Sequence, residues 1–169
     1  SLTVPEGIEE DSKGGDRIRE EFGVEIFEAL KEEYFCIGIQ LGARYDGSNI
    51  INTELTLPPV SSPFEYIASS YPGGRAPHLW LNDGSALFDR FGKYFTLLIL
   101  NKSQSSYKTL IEAAGVRGGP LSGVVGGAKE IFDLYEFELI IIRPDQYVAW
   151  RGNKLPDDPM QLIDMAIGN

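Results

Sequence analysis

One cysteine, Cys36, and one histidine, His78, occur among the 169 residues, and these two scarcities exclude a good deal of chemistry. A lone thiol closes no internal disulfide and cannot supply the Cys-x-x-Cys pair that a dithiol oxidoreductase cycles. A lone imidazole without a second His or Cys gives little metal specificity. Basic charge is also short: 15 Lys and Arg stand against 25 Asp and Glu, a net charge of −10. Such a surface repels phosphate backbones and anionic headgroups, which argues against nucleic-acid and membrane partners. No apolar run approaches the ~20 residues that cross a bilayer, and the first residues do not have the basic-then-apolar pattern of a leader. These absences predict a soluble, cytoplasmic protein, and a start at Ser1 reads as a piece excised from a longer chain. What is present, 43% hydrophobic residues, is enough for one proper core with an appendage.

Along the chain, residues 1–16 are acidic, rich in Gly and Ser and without apolar periodicity, which predicts a flexible lead-in. Ile18, Phe22, Ile26, Ala29, Leu30 and Tyr34 then recur at three- and four-residue intervals among glutamates, the pattern of an amphipathic helix. Phe35 to Tyr45 is β-prone and, with the Asp46-Gly47 turn and Ile50-Ile51, predicts a strand pair or extended arm. The Pro- and Ser-rich stretch from Leu55 to Pro63 supports neither helix nor central strand. It marks a boundary between a helix-and-arm segment, 17–63, and a domain over 64–169.

In that domain, His78 to Leu81 reads as a short strand, Asp83-Gly84 as a turn, and Ser85 to Phe91 as helical turns ending at Gly92. The unbroken apolar run Tyr94 to Leu100 predicts a central strand buried on both faces. Helical spacing from Gln104 to Ala114, a short strand at Leu121 to Val125, and a helix from Ala128 to Tyr135 follow. Glu138 to Ile142 and Tyr147 to Trp150 form a hairpin through Arg143-Pro144-Asp145-Gln146. Asp157 or Asp158 then caps a final helix. Strand, helix, strand, helix, strand, strand, helix is the thioredoxin order, so the fold class is α/β: a central mixed β-sheet flanked by helices, preceded by an N-terminal helix and arm.

The chemistry usual to that fold is missing. Where a thiolate should follow the first long strand, the chain reads Asn101-Lys102-Ser103-Gln104-Ser105, and no proline precedes the strand at Glu138. The stretch from Arg75 to Leu100 resembles a peroxiredoxin opening without its peroxidatic cysteine. Cys36, between Phe35 and Ile37, reads as a packed small hydrophobe, and His78 as a structural residue hydrogen-bonded near a turn. The glycines from Gly115 to Gly127 match neither G-x-G-x-x-G nor a loop ending in Gly-Lys-Ser/Thr, and read as connection. Glu32-Glu33 and Asp157-Asp158 are solvated neighbours rather than acid–base pairs. Trp80 and Trp150, each within an apolar strand, are core or interface anchors.

The run Pro72-Gly73-Gly74-Arg75-Ala76-Pro77-His78-Leu79-Trp80-Leu81, followed by Asp83-Gly84-Ser85, Leu87-Phe88-Asp89 and Phe91-Gly92, resembles the C-terminal domain of phenol-hydroxylase-type FAD monooxygenases. So does the hairpin from Ile142 to Gly152, and Gln40 to Ser48 resembles the link from that family's substrate domain. The resemblance extends to members like 2,4-dichlorophenol hydroxylase. The resemblance implies a full-length oxidoreductase, a flavoprotein using FAD, NAD(P)H and dioxygen to hydroxylate a phenolic or polyketide-like ring. The flavin-binding motifs would precede this chain, so the resemblance transfers no catalytic, cofactor-binding or metal residue to it. It implies a scaffold role, toward the FAD and substrate domain of the parent chain or in a homodimer, for Arg75, His78, Arg143, Asp145, Trp150 and Arg151, to which Trp80 is added as an anchor. The alternative reading is a stand-alone, degenerate thioredoxin-like protein-interaction module. An active thiol oxidoreductase is set aside by the cysteine count.

Overall fold

The computed structural model describes residues 2–52, 54–101 and 107–169. Its centre is a four-stranded mixed sheet in the order β2-β1-β3-β4, built from β1 (Phe95–Ile99), β2 (Leu121–Val125), β3 (Leu139–Ile142) and β4 (Val148–Gly152). β1 runs parallel to β2 and antiparallel to β3, and β3 and β4 form the antiparallel hairpin. This is the thioredoxin-like arrangement, α/β as the strand order implied.

Alternation along the two inner strands distributes the core to both faces. Leu97 and Ile99 of β1 and Leu139 and Ile141 of β3 join Trp150 on one face, against Leu110 and Ala114 of α3 (Tyr107–Val116) and Leu162, Ile163 and Ala166 of α5 (Pro159–Ile167). Leu98, Ile140 and Ile142 point the other way, onto Leu87, Ile131 and Tyr135 from a 3₁₀ turn (Leu87–Arg90) and α4 (Lys129–Tyr135). All four side chains of β3 are buried, as expected of a strand covered on both faces. In the hairpin Ile141 faces Trp150 while Ile142 faces Val148, so Ala149 is the extra residue of a bulge. Asp158 caps α5 by accepting from the Met160 and Gln161 amides.

Three expectations ahead of the sheet need correction. The first helix, α1, begins at Lys13, inside the expected flexible lead-in, because Ser12 caps it by accepting from the Gly15 amide. The residues before it are tied down as well: Arg19 donates to the Ile8 and Glu10 carbonyls, at 2.6 and 3.0 Å. α1 then runs to Tyr34. The strand expected from Phe35 is not formed either, for Ile37–Gly42 is a helix, α2, and only Arg44 beyond it makes a bridge, to Gly74. Its reason is tertiary. Gly38 donates to the Pro63 carbonyl, and a Cβ there would run into the carbonyl oxygens of Ser62 and Glu65. Docking of the Pro-rich loop on that glycine outweighs the β-propensity of the run. The turn at Gly47 is present, with φ of +75°. The strand expected at His78 to Leu81 reduces to one bridge, Trp80 to Ala86, closing on the turn at Gly84. Of the stretch Asn101 to Ser105, where the thiol position was sought, Lys102 to Ser105 lie outside the described residues, among them Gln104, the expected start of the next helix.

Candidate interface and anchoring site

The edge of β4 is where the sequence motifs meet. Residues 73–76 run antiparallel beside it: the Gly73 amide donates to the Val148 carbonyl, Val148 to Gly74, and Ala76 to Gln146. A further layer is added when the Tyr45 amide donates to the Gly73 carbonyl and Asn52 to Ala149. An edge strand that would otherwise present unpaired amides is thereby covered by its own chain.

Arg151 fastens this cover. Only 8% of its side chain is exposed. It donates to both carboxylate oxygens of Glu54, at 2.6 and 3.0 Å, and to the Ser70 hydroxyl at 2.9 Å. Its guanidinium also lies over the Phe137 ring at 4.3 Å and the Tyr71 ring at 5.4 Å. Burial alone would raise the Glu54 pKa, but hydrogen bonds from Arg151 and the Thr56 hydroxyl, with the arginine charge, hold it below the usual carboxylate value. Tyr71 is itself buried, donates to the Thr56 carbonyl at 2.6 Å and receives the Arg44 guanidinium at 4.8 Å. Bidentate geometry and aromatic stacking are what arginine offers and lysine does not.

The other candidates fall into two further groups. Arg143 pairs with Asp145 across the hairpin turn and donates to the Ala166 carbonyl at 3.3 Å, joining the turn to the last turn of α5. Trp150 is 7% exposed in the core. Arg75 donates to the Gln146 amide oxygen at 3.3 Å and stacks 4.7 Å over Phe88. Phe88 meets the His78 ring edge-on at 4.9 Å, and His78 meets Trp80 at 5.3 Å. His78 is thus held by rings on the surface, with no hydrogen bond of its side chain to another described residue, and Trp80, 71% exposed, sits outside any strand and outside the core. Of the seven residues singled out in the sequence, the fold thus places one in the core, three in an exposed aromatic stack and three at polar fastenings.

Glu54, Tyr71, Ser70 and Tyr135 complete the fastening and carry no sequence signal. Tyr135 donates to the Pro77 carbonyl at 2.7 Å, and its own carbonyl accepts from Ser70 at 2.6 Å. Burial keeps its phenol protonated far above the ordinary range, the neighbouring Tyr66 adds to this, and Arg75 opposes it. Tyr66, its pKa also raised by burial, places its hydroxyl, without a hydrogen-bond partner among the described residues, beside a hollow of about 40 Å³ lined by Gly38, Arg44 and Arg75. That volume suits water.

A flavin dinucleotide needs a long cleft and a glycine-rich turn opening a helix under its pyrophosphate. The glycine-rich segment ahead of α4 does not supply that turn. Gly126-Gly127 leads into a helix of only seven residues, and Gly126 is explained by packing, since a Cβ there would lie 2.9 Å from Leu100. Among the described residues no group of three or more His, Cys, Asp or Glu is placed to hold a metal, and no helix is long and apolar enough to cross a membrane. Cys36 is half-buried at the head of α2, where its sulfur accepts from the Gln40 amide nitrogen at 3.4 Å.

Residues 69–166 match the family model described as aromatic-ring hydroxylase, C-terminal. Among curated proteins, the FAD-dependent monooxygenase opdD of Penicillium oxalicum is 32% identical over 142 residues, 79% of this chain and 27% of its own length. The phenol 2-monooxygenase of a Pseudomonas species is 27% identical over 154 residues, 80% of this chain and 25% of its own. The chain thus spans about a quarter of the length of these relatives. Among solved structures, the rebeccamycin biosynthetic enzyme RebC with reduced flavin superposes with a TM-score of 0.84 at 34% identity, over 99% of this chain and 31% of that one.

Proposed function

Since this chain belongs to the aromatic-ring hydroxylase C-terminal family, we propose that it is the C-terminal part of a flavin-dependent monooxygenase and serves there as a scaffold and interface without catalysis of its own. In the parent enzyme FAD, reduced by NAD(P)H, activates dioxygen for insertion into an aromatic ring, and that chemistry belongs to the part that precedes this one. The partner of this chain is the FAD- and substrate-binding part of the same polypeptide, working in the cytoplasm. The observation that carries the reading is coverage: relatives that are FAD-dependent monooxygenases match this chain over about a quarter of their length. The internal polar groups support it, because Arg151, Glu54, Ser70, Tyr71 and Tyr135 spend their hydrogen bonds on holding segments together.

Titration of the purified 169-residue chain with FAD, followed by flavin fluorescence, tests it, together with an assay of NAD(P)H oxidation. The expected result is no quenching and no turnover from this chain, and both from the product of the complete reading frame. Tight FAD binding by the short chain, or a start codon just upstream of Ser1, would overturn the proposal.

A further inference from the structure

Helix α1 carries two apolar rows pointing in different directions. Ile18, Phe22 and Ile26 make the row turned inward, with Phe22 buried and the others half-buried. Gly23, Phe27, Leu30 and Tyr34, spaced four, three and four apart, make a second row about 110° further round the axis. Phe27, Leu30 and Tyr34 are 53%, 37% and 68% exposed. The row continues past the helix end into Phe35, whose ring lies 5.6 Å from that of Phe27. A Cβ at Gly23 would meet nothing within 4 Å, so the row begins on a flat, open shoulder. Contiguous apolar surface of this kind marks an interface.

Resting on the reading above, we propose that this second row is the seat of the polypeptide preceding Ser1, the flavin- and substrate-binding part of the enzyme. Three observations point to that occupant. The family model begins only at residue 69, so α1 lies outside the C-terminal domain it defines, and both core clusters are built from residues 76 to 167. The RebC chain nevertheless matches 99% of this chain, α1 with it, while more than two thirds of RebC lies outside the match. Finally, the row is unsuited to a second copy. It spans Gly23 to Tyr34, short of two heptads, where a self-sufficient coiled coil sustains three or four. Glu20 borders it, and two copies of a chain of charge −10 repel. The covering surface should be an apolar hollow with a Lys or Arg at its rim to meet Glu20.

Hydroxyl-radical footprinting of the full-length enzyme and of the 169-residue chain reads this directly, because Phe27, Tyr34 and Phe35 are oxidised in proportion to their exposure. At least a five-fold slower oxidation of these three rings in the full-length protein is expected. The double variant Phe27→Asp/Tyr34→Asp should leave the circular dichroism and melting of the short chain unchanged, since both rings are exposed, and should restore fast oxidation of Phe35 in the full-length protein. If the full-length enzyme binds FAD but the three rings oxidise equally fast in both forms, the docking proposal fails while the scaffold reading stands. A full-length product that binds no FAD overturns both. A short chain that dimerises by light scattering, and becomes monomeric with the double variant, would assign the row to a second copy and overturn the proposed occupant.

Discussion

Removing the Arg151 guanidinium would leave the Glu54 carboxylate with only the Thr56 hydroxyl, take one donor from the Ser70 oxygen and strip one face from Tyr71. Arg151→Ala is therefore expected to cost about 3 kcal/mol, near the low end for a broken buried pair because the Glu54 side chain is 21% exposed; a lowered urea midpoint with unchanged slope checks it. The same pair sets an acid limit. The folded pKa of Glu54 lies below its ordinary value of 4.5, so its contribution is complete above that pH and fades as pH falls through the folded value. Glu54→Gln should remove this part of the stability loss below about pH 4.5, visible as a shallower fall of melting temperature with acid, and a parallel fall would refute it. At this scale the sequence is partly legible. Trp150 lies in an apolar run that could only be a buried strand, whereas Glu54 sits in a loop 97 residues from its partner, and no periodicity connects them. Trp80 misleads for the opposite reason: its apolar neighbours suggest a strand, but the tight turn at Gly84 leaves room for a single bridge and turns the indole to solvent.

Elements were readable where a period or a cap fixed them. The apolar run of β1, the four buried residues of β3 and the Asp158 cap of α5 each carry their own signal. α2 does not, because its helix depends on a loop that arrives from twenty residues further on. Two substitutions separate local from tertiary causes. Asp158→Ala removes the acceptor of two α5 amides and should cost about 1 kcal/mol, the usual worth of an N-cap, measured by chemical denaturation. Gly38→Ala improves helix propensity by roughly 1 kcal/mol, yet should destabilise, because the added methyl meets the Ser62 and Glu65 carbonyls. A stabilised Gly38→Ala protein would show that propensity, and not loop docking, shapes the segment.

For the whole molecule, the most informative feature in the sequence was an absence: strand order gave a thioredoxin-like sheet, and the missing second cysteine removed its usual chemistry. Where the folded unit begins was less accessible. The Pro-rich stretch from Leu55 to Pro63 has the composition of a linker, and a division at residue 64 follows from that composition. Yet Glu54 to Arg151, Tyr71 to Thr56, Asn52 to Ala149 and Tyr45 to Gly73 all cross or precede it, while the apolar row of α1 faces away from the core. Two truncations weigh these facts against each other. A chain starting at residue 64 keeps every strand but leaves Arg151 buried without Glu54 and the β4 edge without Asn52, so its melting temperature should fall by at least about 10 °C, given ~4 °C or more per kcal/mol for a domain of this size. A chain starting at residue 36 loses α1 and its exposed rings but keeps all four ties, and should melt within a few degrees of the full 169 residues. Equal losses in the two would mean that α1 belongs to the domain's own stability. A harmless cut at residue 64 would make the Pro-rich stretch a true linker, and the Arg151 fastening dispensable.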